Sequence, residues 1–364
     1  MLTSSTRFGV SAGFTLFRVV SRSQFRCFPS STRFLSWVRF PPAPPKHAPL
    51  RRQTAGTQCS EVVPAADPVP TVRCRIVMPV TIGDFTIMSE AFFTVDGDSY
   101  LPSVMARGPW GAAMGGQIVG GLLGWGIEQS GVDPDLQPAR LTVDLLRPAL
   151  LEPVRIQTSV QREGRRIKLV DGALVQNGKT VARASALFLR RGEQPDGEVW
   201  TAPVRMPPLP TDSDEFPADM PFFIWGYGAN PEKGTRGMTE WEQSHTQKFA
   251  WTRVFRPMVQ GHPLTPFSRL AFIGDITSSL THWGTGGLRY INADYTVTAS
   301  RLPDGEYLGL AAQSHYGTAG VATGGATLFD RHGPIGTSSA LALAQSADAF
   351  NPSFHDSGVT AHQS

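Results

Sequence analysis

Cysteine is nearly absent from this chain of 364 residues, and its three cysteines, Cys27, Cys59 and Cys74, all precede residue 78. Residues 78–364 therefore hold no disulfide framework, no cysteine nucleophile and no thiolate metal site. The same residues contain no G-x-S-x-G nucleophile elbow and no H-E-x-x-H zinc helix, which excludes the usual α/β-hydrolases and zincins. The histidines are not spaced as metal ligands, so no metal site is predicted.

Acidic residues are scarce at the N-terminus of the chain. Residues 1–77 hold eleven Lys or Arg against two acidic residues, a net charge of +9, whereas the other 287 residues hold 22 basic and 28 acidic groups. The resulting charge of −6 excludes a nucleic-acid partner for the folded part, because phosphate binding needs a basic face. Residues 1–77 are predicted to be a disordered leader or a mis-called start. A transit peptide, a basic arm, and a true start at Met78 or Met88 remain the alternatives.

Charged residues are also missing from a run of twenty residues, 108–127 (GPWGAAMGGQIVGGLLGWGI). The run is long enough to span a bilayer, but eight of its residues are glycine, and a single span would not explain the strand-rich sequence that follows. A helix that is apolar on all sides is also typical of a protein interior, where glycines let neighbouring strands approach the backbone. We therefore predict a buried helix and no membrane span.

Strand patterns follow this run and then recur in the second half of the chain. The first set includes alternating runs on both sides of Asn177-Gly178, a pair typical of a hairpin turn. The second half contains a strand, a helix and four further strands in the same order. The segment ASALFL at Ala184 corresponds to SSALAL at Ser338, an offset of 154 residues. The repeat predicts two similar domains, each with a helix wrapped by an antiparallel sheet.

This repeat defines the expected domain boundaries. The segment between the two domains is rich in Pro, Gly and acidic residues, which is typical of a linker with a loop. The end of the chain is polar and is expected to be a disordered tail. The predicted segments are the leader at 1–77, the N-terminal domain at 78–192, the linker and loop at 193–247, the C-terminal domain at 248–345, and the tail at 346–364.

Several segments resemble the acyl-CoA thioesterase II type of double-hotdog protein. They are GGQIVGGLLG (115–124), LLRPA (145–149), GRR (164–166), QNGKTVARASALF (176–188) and GDITSSL (274–280). The resemblance covers about residues 87–344 and implies an α+β double hotdog, in which two antiparallel sheets each wrap around a central helix. It further implies hydrolysis of acyl-CoA to a free fatty acid and coenzyme A, without a metal or organic cofactor.

By this resemblance the catalytic aspartate is Asp275, which would activate the attacking water. The sequence around it agrees, because Asp275 is the only acidic residue between Glu242 and Asp294 and follows the apolar pair Phe272 and Ile273. A carboxylate in apolar surroundings tends to have a raised pKa, which suits a general base. The alternative is that Asp275 only caps a helix that begins there.

The other two residues of the family's catalytic triad, a Thr and a Gln, are replaced in this chain. Asn292 stands at the Thr position, where its amide could orient a water or donate to an oxyanion. Leu341 stands at the Gln position and can do neither. Three options follow: a variant water-holding set that uses Thr277 or Ser278, a site assembled elsewhere, or a non-catalytic acyl-CoA-binding protein.

Substrate-binding residues are also implied by the resemblance. Gly115, Gly116 and Gln117 would approach the thioester, because a helix N-terminus with free N–H groups stabilises negative charge on the carbonyl oxygen. Arg165 and Arg166 would bind the phosphates of coenzyme A. The alternatives are close packing for the glycines and a solvated hairpin for the arginines.

A second enzyme class with the hotdog fold, the enoyl-CoA hydratases, pairs an Asp with a His five residues later. Neither Asp275, followed by Leu280, nor Asp294, followed by Ala299, has this partner, so the hydratase is the less favoured alternative. Exposed sheet edges predict a homo-oligomer. The expected partner is the small-molecule substrate acyl-CoA, and the expected location is the cytoplasm.

Overall fold

A computed structural model of the chain describes residues 90–210, 220–242, 244–346 and 348–350. The predicted leader, the candidate starts Met78 and Met88, and most of the predicted tail lie outside the described residues. The described residues cluster into one structural unit.

The glycine-rich run forms a buried helix, as predicted. Helix α1 (Gly116–Glu128) is buried from Gln117 to Ile127. Its glycines are needed for the contact with the next helix, since an added Cβ at Gly124 would lie 2.6 Å from Ala271 Cβ. In the described part of the chain, no helix is both long and apolar enough to cross a membrane.

The second predicted helix is divided in two. Helix α2 (Pro266–Gly274) and helix α3 (Ile276–His282) are separated by Asp275, whose backbone remains helical at φ −63° and ψ −31°. A neighbouring strand approaches the chain closely beside this break, since a Cβ at Gly274 would lie 2.5 Å from Val297 Cγ1. Because the Asp275 backbone remains helical, the chain does not turn there, although the two helices are separate.

The strands follow the order predicted from the sequence, and the Asn177-Gly178 hairpin turn is confirmed by φ values of 50° and 72°. They are β1 (Phe93–Asp96), β2 (Ser99–Pro102), β3 (Leu136–Leu145), β4 (Arg155–Glu163), β5 (Ile167–Gln176), β6 (Lys179–Arg190), β7 (Phe223–Tyr227), β8 (Thr235–Arg236), β9 (Phe249–Arg253), β10 (Trp283–Gly284), β11 (Gly287–Leu288), β12 (Tyr290–Asn292), β13 (Asp294–Ala299), β14 (Tyr307–Thr318), β15 (Val321–Asp330) and β16 (Gly333–Ala344).

Twelve of the strands in the described residues form one continuous sheet, in which each half repeats the same strand order. From the centre outwards the order is β3-β6-β5-β4 in one half and β13-β16-β15-β14 in the other. The halves meet where β3 pairs with β13, and Thr142 Oγ1 lies 3.0 Å from Thr296 Oγ1 across the join. These two threonines are 154 residues apart, the same offset that the sequence repeat shows. The sheets predicted around the two helices are therefore joined edge to edge.

The segment predicted as a linker and loop also contributes to the sheet. Strands β7 and β8 lie within residues 193–247, and β7 pairs with β9 to extend the C-terminal half. Helix α1 packs on β3–β6, whereas α3 packs on β12 and β14–β16. This arrangement brings the N-terminus of α1 against the break between α2 and α3.

Candidate active site

Asp275 directs its carboxylate away from its own helix. It occupies the residue before α3, but its side chain makes no capping hydrogen bond to that helix. Instead Oδ1 lies so close to the N-terminus of α1 that a Cβ added at Gly116 would overlap it. The alternative interpretation of Asp275 as a helix cap is therefore not supported by the geometry.

The Asp275 carboxylate accepts two hydrogen bonds from different halves of the molecule. The Asn292 amide donates to Oδ1 at 2.8 Å, and the backbone N–H of Gln117 donates to the carboxylate from the first turn of α1. Asn292 stands on β12, opposite Ala342 of β16, which aims its amide toward the helix break. Asp275, Asn292, Gly116 and Gln117 are thus brought together, with Gly115 next in the chain.

Burial controls the charge of this carboxyl group. Desolvation raises the pKa of Asp275 from 3.8 to about 6, while the hydrogen bonds from Asn292 and Gln117 partly oppose the rise. The residue nevertheless keeps a limited contact with solvent. A carboxyl group with a pKa just below neutrality is ionised at pH 7 and can still accept a proton, as a general base must.

The N-terminus of α1 is open toward this carboxylate. Gly115 precedes the helix and has no side chain with which to cap it, so the first N–H groups depend on partners outside the helix. The N–H of Gln117 donates to Asp275, and the N–H of Gly116 lies one residue earlier. Such N–H groups favour negative charge, whether on a carboxylate or on a developing oxyanion.

Two domain models of one protein family match the chain. The acyl-CoA thioesterase N-terminal domain matches residues 106–189, and the acyl-CoA thioesterase C-terminal domain matches residues 203–354. Together these matches cover more than half of the chain. The chain belongs to the acyl-CoA thioesterase family.

Solved structures show the same fold at low sequence identity. A tesB protein of Mycobacterium avium subspecies paratuberculosis is 17% identical, with 69% of this chain and 95% of that chain covered and a TM-score of 0.50. A conserved protein of unknown function with a hot dog fold from Alicyclobacillus acidocaldarius is also 17% identical, with 71% and 98% covered and a TM-score of 0.53. No curated protein matches the chain. The predicted double hotdog is confirmed.

Leu341 does not belong to the group of residues around the Asp275 carboxylate. Its side chain is 48% exposed, and its backbone N–H donates to Asp294 Oδ1 at 2.8 Å. Alternation along β16 instead buries Ser338, Ala340 and Ala342. The last strand therefore brings no amide to Asn292, either at Leu341 or at the neighbouring buried positions.

The two hydroxyls that the sequence offered as replacements differ in availability. The Thr277 hydroxyl donates to Ser338 Oγ at 2.7 Å, and both side chains are buried. Thr277 thus ties α3 to β16. Ser278 is buried one position later, and its backbone N–H donates to the Asp275 carbonyl at 3.1 Å. Of the two, only the Thr277 hydroxyl donates to another side chain among the described residues.

Arg165 and Arg166 lie far from Asp275. They are exposed at the β4–β5 turn and line a cleft of about 580 Å³ with Arg190 and Arg191. The nearby Lys168 donates to the Gly131 carbonyl at 3.2 Å, which places this turn at the C-terminal end of α1. Since α1 has 13 residues, its two ends are about 20 Å apart.

Tyr295 is a residue of this site that the sequence analysis missed. Its hydroxyl donates to the Ala271 carbonyl at 2.5 Å and would overlap a Cβ added at Gly120. Burial, and then the negative charge of Asp275, raise the pKa of Tyr295 well above 10, so the phenol stays protonated. The sequence feature that could have identified Tyr295 is its position directly after Asp294, in the segment that carries Asn292. No group of three or more metal-ligating side chains lies together among the described residues.

Proposed function

We propose that this chain hydrolyses acyl-CoA thioesters to a carboxylic acid and coenzyme A, with Asp275 as the general base. The observation that carries the proposal is the buried Asp275 carboxylate at the open N-terminus of α1, held there by Asn292. Family membership supports the reaction class. The geometry supports the role of the individual residues.

The proposed reaction begins with proton transfer from a water to ionised Asp275, while the water oxygen bonds to the thioester carbon. The carbonyl oxygen of the tetrahedral intermediate becomes negatively charged, and in this proposal the Gly116 N–H at the N-terminus of α1 stabilises it. The carbon–sulfur bond then breaks, and the coenzyme A thiolate takes the proton from Asp275. Asn292 orients the carboxylate through its amide.

A non-catalytic acyl-CoA-binding protein is the second candidate. The observation that favours it is Ala342, which stands opposite Asn292 on β16 and supplies no third polar group. Binding requires only the pocket, whereas hydrolysis also requires a positioned water. Ser278 is proposed to hold that water if the chain is an enzyme.

The other predictions made from the sequence stay predictions. Arg165 and Arg166 are proposed to meet phosphates of coenzyme A, although their cleft lies at the opposite end of α1. A homo-oligomer and a cytoplasmic location are likewise proposed. The exposed strand β4, at one end of the sheet, is the edge that a second copy would pair with.

The decisive experiment measures thiol release from short-, medium- and long-chain acyl-CoA by the full chain and by Asp275→Ala. Loss of a general base should lower the rate by about 10²–10⁴-fold. The matched control is Glu128→Gln, which alters another buried carboxyl group whose pKa burial raises, to about 7. An Asp275→Ala variant as active as the parent would overturn the assignment. A parent that binds acyl-CoA without releasing thiol would identify the binder.

A further inference from the structure

A second cleft opens at the C-terminal end of α3, outside the cluster around Asp275. Its volume is about 640 Å³. It lies between the last residues of α3, the turn at residues 284–287, the residues just before β9, and the middle of β14. Because α3 has seven residues, the cleft is about 10 Å along the helix axis from Asp275.

The walls of this cleft carry basic side chains without acidic ones. The basic side chains are those of His245, Lys248, His282, Arg289 and His315. Among the residues that the structure describes, no Asp or Glu lines the cleft. Lys248 and Arg289 supply the charge that favours an anion, because the low-dielectric walls of a cleft concentrate the field of like charges. Burial, and then the nearby His315, lower the pKa of His282 to about 4, so its ring is neutral at pH 7.

Lys248 is a buried cation without a carboxylate partner. Its side chain is only 5% exposed, and Nζ donates to the carbonyls of Ser244 at 2.9 Å and Thr246 at 3.2 Å. Burial lowers its pKa. An ammonium has three protons to donate, so these two carbonyls leave capacity for a further acceptor.

The Arg289 guanidinium, which also lines the cleft, likewise has donors left over for a ligand. Its Nε is buried without a hydrogen-bond partner in the described residues, and the one hydrogen bond that its side chain makes there is a long one of 3.5 Å from Nη2 to the Gln345 carbonyl. The positive charge of Arg289 contributes to lowering the pKa of Asp348, but the two described side chains form no ion pair. A guanidinium left in this state can pair bidentately with a phosphate.

The remaining walls are a glycine turn and an aromatic cluster. A Cβ added at Gly284 or Gly286 would meet no atom within 4 Å, so the backbone of the turn faces open space. Opposite it, His282 and His315 share a hydrogen bond of 2.8 Å between their Nδ1 atoms, and the Tyr290 ring packs against both. The turn offers backbone N–H groups, and the rings offer a flat surface.

We propose that this cleft binds the phosphate groups of a phosphorylated ligand, with Lys248 and Arg289 supplying the charge. Two sources share this chemistry: the nucleotide end of coenzyme A, which would then lie here and not at Arg165 and Arg166, and a separate compound with a phosphate or pyrophosphate group. The first source rests on the proposed function, whereas the site itself does not. Its distance from Asp275 allows one extended ligand to reach both places.

The test measures binding of coenzyme A, dephospho-coenzyme A, pyrophosphate and adenosine to the full chain by titration calorimetry, in which no turnover is needed. The variant is Gly286→Asp, which adds a carboxylate in open space, and its matched control is Gly286→Asn. Arg289→Gln removes the charge directly. We expect Gly286→Asp and Arg289→Gln to raise the Kd for pyrophosphate by about tenfold or more, Gly286→Asn to raise it less, and adenosine not to bind.

The ligand series then identifies the source. If coenzyme A loses affinity together with pyrophosphate, its phosphates occupy the cleft. If only pyrophosphate loses affinity, the ligand is a separate phosphorylated compound. Either result supports the site. Absent pyrophosphate binding, or a Kd unchanged in both Gly286→Asp and Arg289→Gln, overturns it, while thiol release by Asp275→Ala tests the proposed hydrolysis independently.

Discussion

The N-termini of α1 and α2, the first α-helix of each half of the molecule, are satisfied in different ways. Helix α2 begins with a capping box, in which Thr265 Oγ1 accepts the Ser268 N–H and Ser268 Oγ accepts the Thr265 N–H, each at 2.9 Å. Helix α1 begins after Gly115, which has no capping side chain. The N-terminus of α2 is capped by residues of its own chain segment, whereas the N-terminus of α1 needs a partner from outside that segment.

A partly buried carboxyl group lies at each of these helix ends. Glu128 accepts the Thr265 hydroxyl at 2.6 Å, and Asp275 accepts a backbone N–H of α1. Burial raises the pKa of Glu128 to about 7 and that of Asp275 to about 6. The two helix ends thus differ in their partners, since α1 has no capping side chain and one of its first N–H groups donates to Asp275 instead.

The largest expected effect concerns the stability cost of ionising Asp275. Its pKa is about 6 in the folded state and 3.8 as a reference, so the folded state holds more protons between these values. The free energy of unfolding should therefore fall as pH rises from about 4 to about 6, by up to about 3 kcal/mol. Asp275→Asn should remove this loss and be more stable than the parent at pH 7. Urea unfolding at pH 4 and pH 7 checks it, and an equal difference at both pH values would contradict it.

The next effect concerns the close approach of Gly116 to Asp275. Gly116→Ala inserts a methyl group where Asp275 Oδ1 now lies, so the carboxylate must move. A shift of about 1 Å in a catalytic group can lower the rate by about 10²-fold. Steady-state thiol release measures this loss. Gly126→Ala is the control in the same helix, because its methyl group would meet Cδ1 and Cγ2 of Ile156 at 2.8 Å and not the Asp275 carboxylate. Equal rates in the two variants would argue against the role of Asp275.

The sequence predicted the local features of this comparison. The glycine content of the run identified α1 as a buried helix, and the repeat offset of 154 residues reappears in the Thr142–Thr296 contact. Asp275 was proposed from the family resemblance, and its place as the only acid between Glu242 and Asp294 agrees with that proposal. Each of these signals is contained in neighbouring residues or in a simple repeat.

The features that the sequence could not predict depend on contacts between distant residues. The break at Asp275 lies beside the close approach of Val297 to Gly274, a contact between residues that are far apart in sequence. The outward direction of Leu341 depends on the register of β16. Similarly, the pairing of β7 with β9 draws part of the predicted linker into the sheet. Such contacts are fixed only when the whole sheet forms.

A third effect concerns the spacing between α1 and α2. Gly124→Ala places a methyl group 2.6 Å from Ala271 Cβ and should destabilise the fold by about 1–3 kcal/mol. The double variant Gly124→Ala/Ala271→Gly moves the methyl group to the other helix and should recover most of this loss, apart from about 1 kcal/mol for the new helical glycine. Chemical denaturation of the two single variants and the double variant tests the coupling. Simple addition of the two single effects would show that the helices do not touch at this point.

The smallest effect is expected at the capped helix end. Thr265→Ala removes the cap of α2 and should lower the free energy of unfolding by about 1 kcal/mol, while Thr265→Ser keeps the hydroxyl and should cost less. Because the Thr265 hydroxyl holds the pKa of Glu128 down, that pKa should rise further in Thr265→Ala. Thiol release at pH 7 should stay at the parent level in both variants. Only a helix end that binds substrate should change the rate when its hydrogen bonds change. A rate loss in Thr265→Ala as large as that in Gly116→Ala would therefore mean that the N-terminus of α2 also takes part in the reaction.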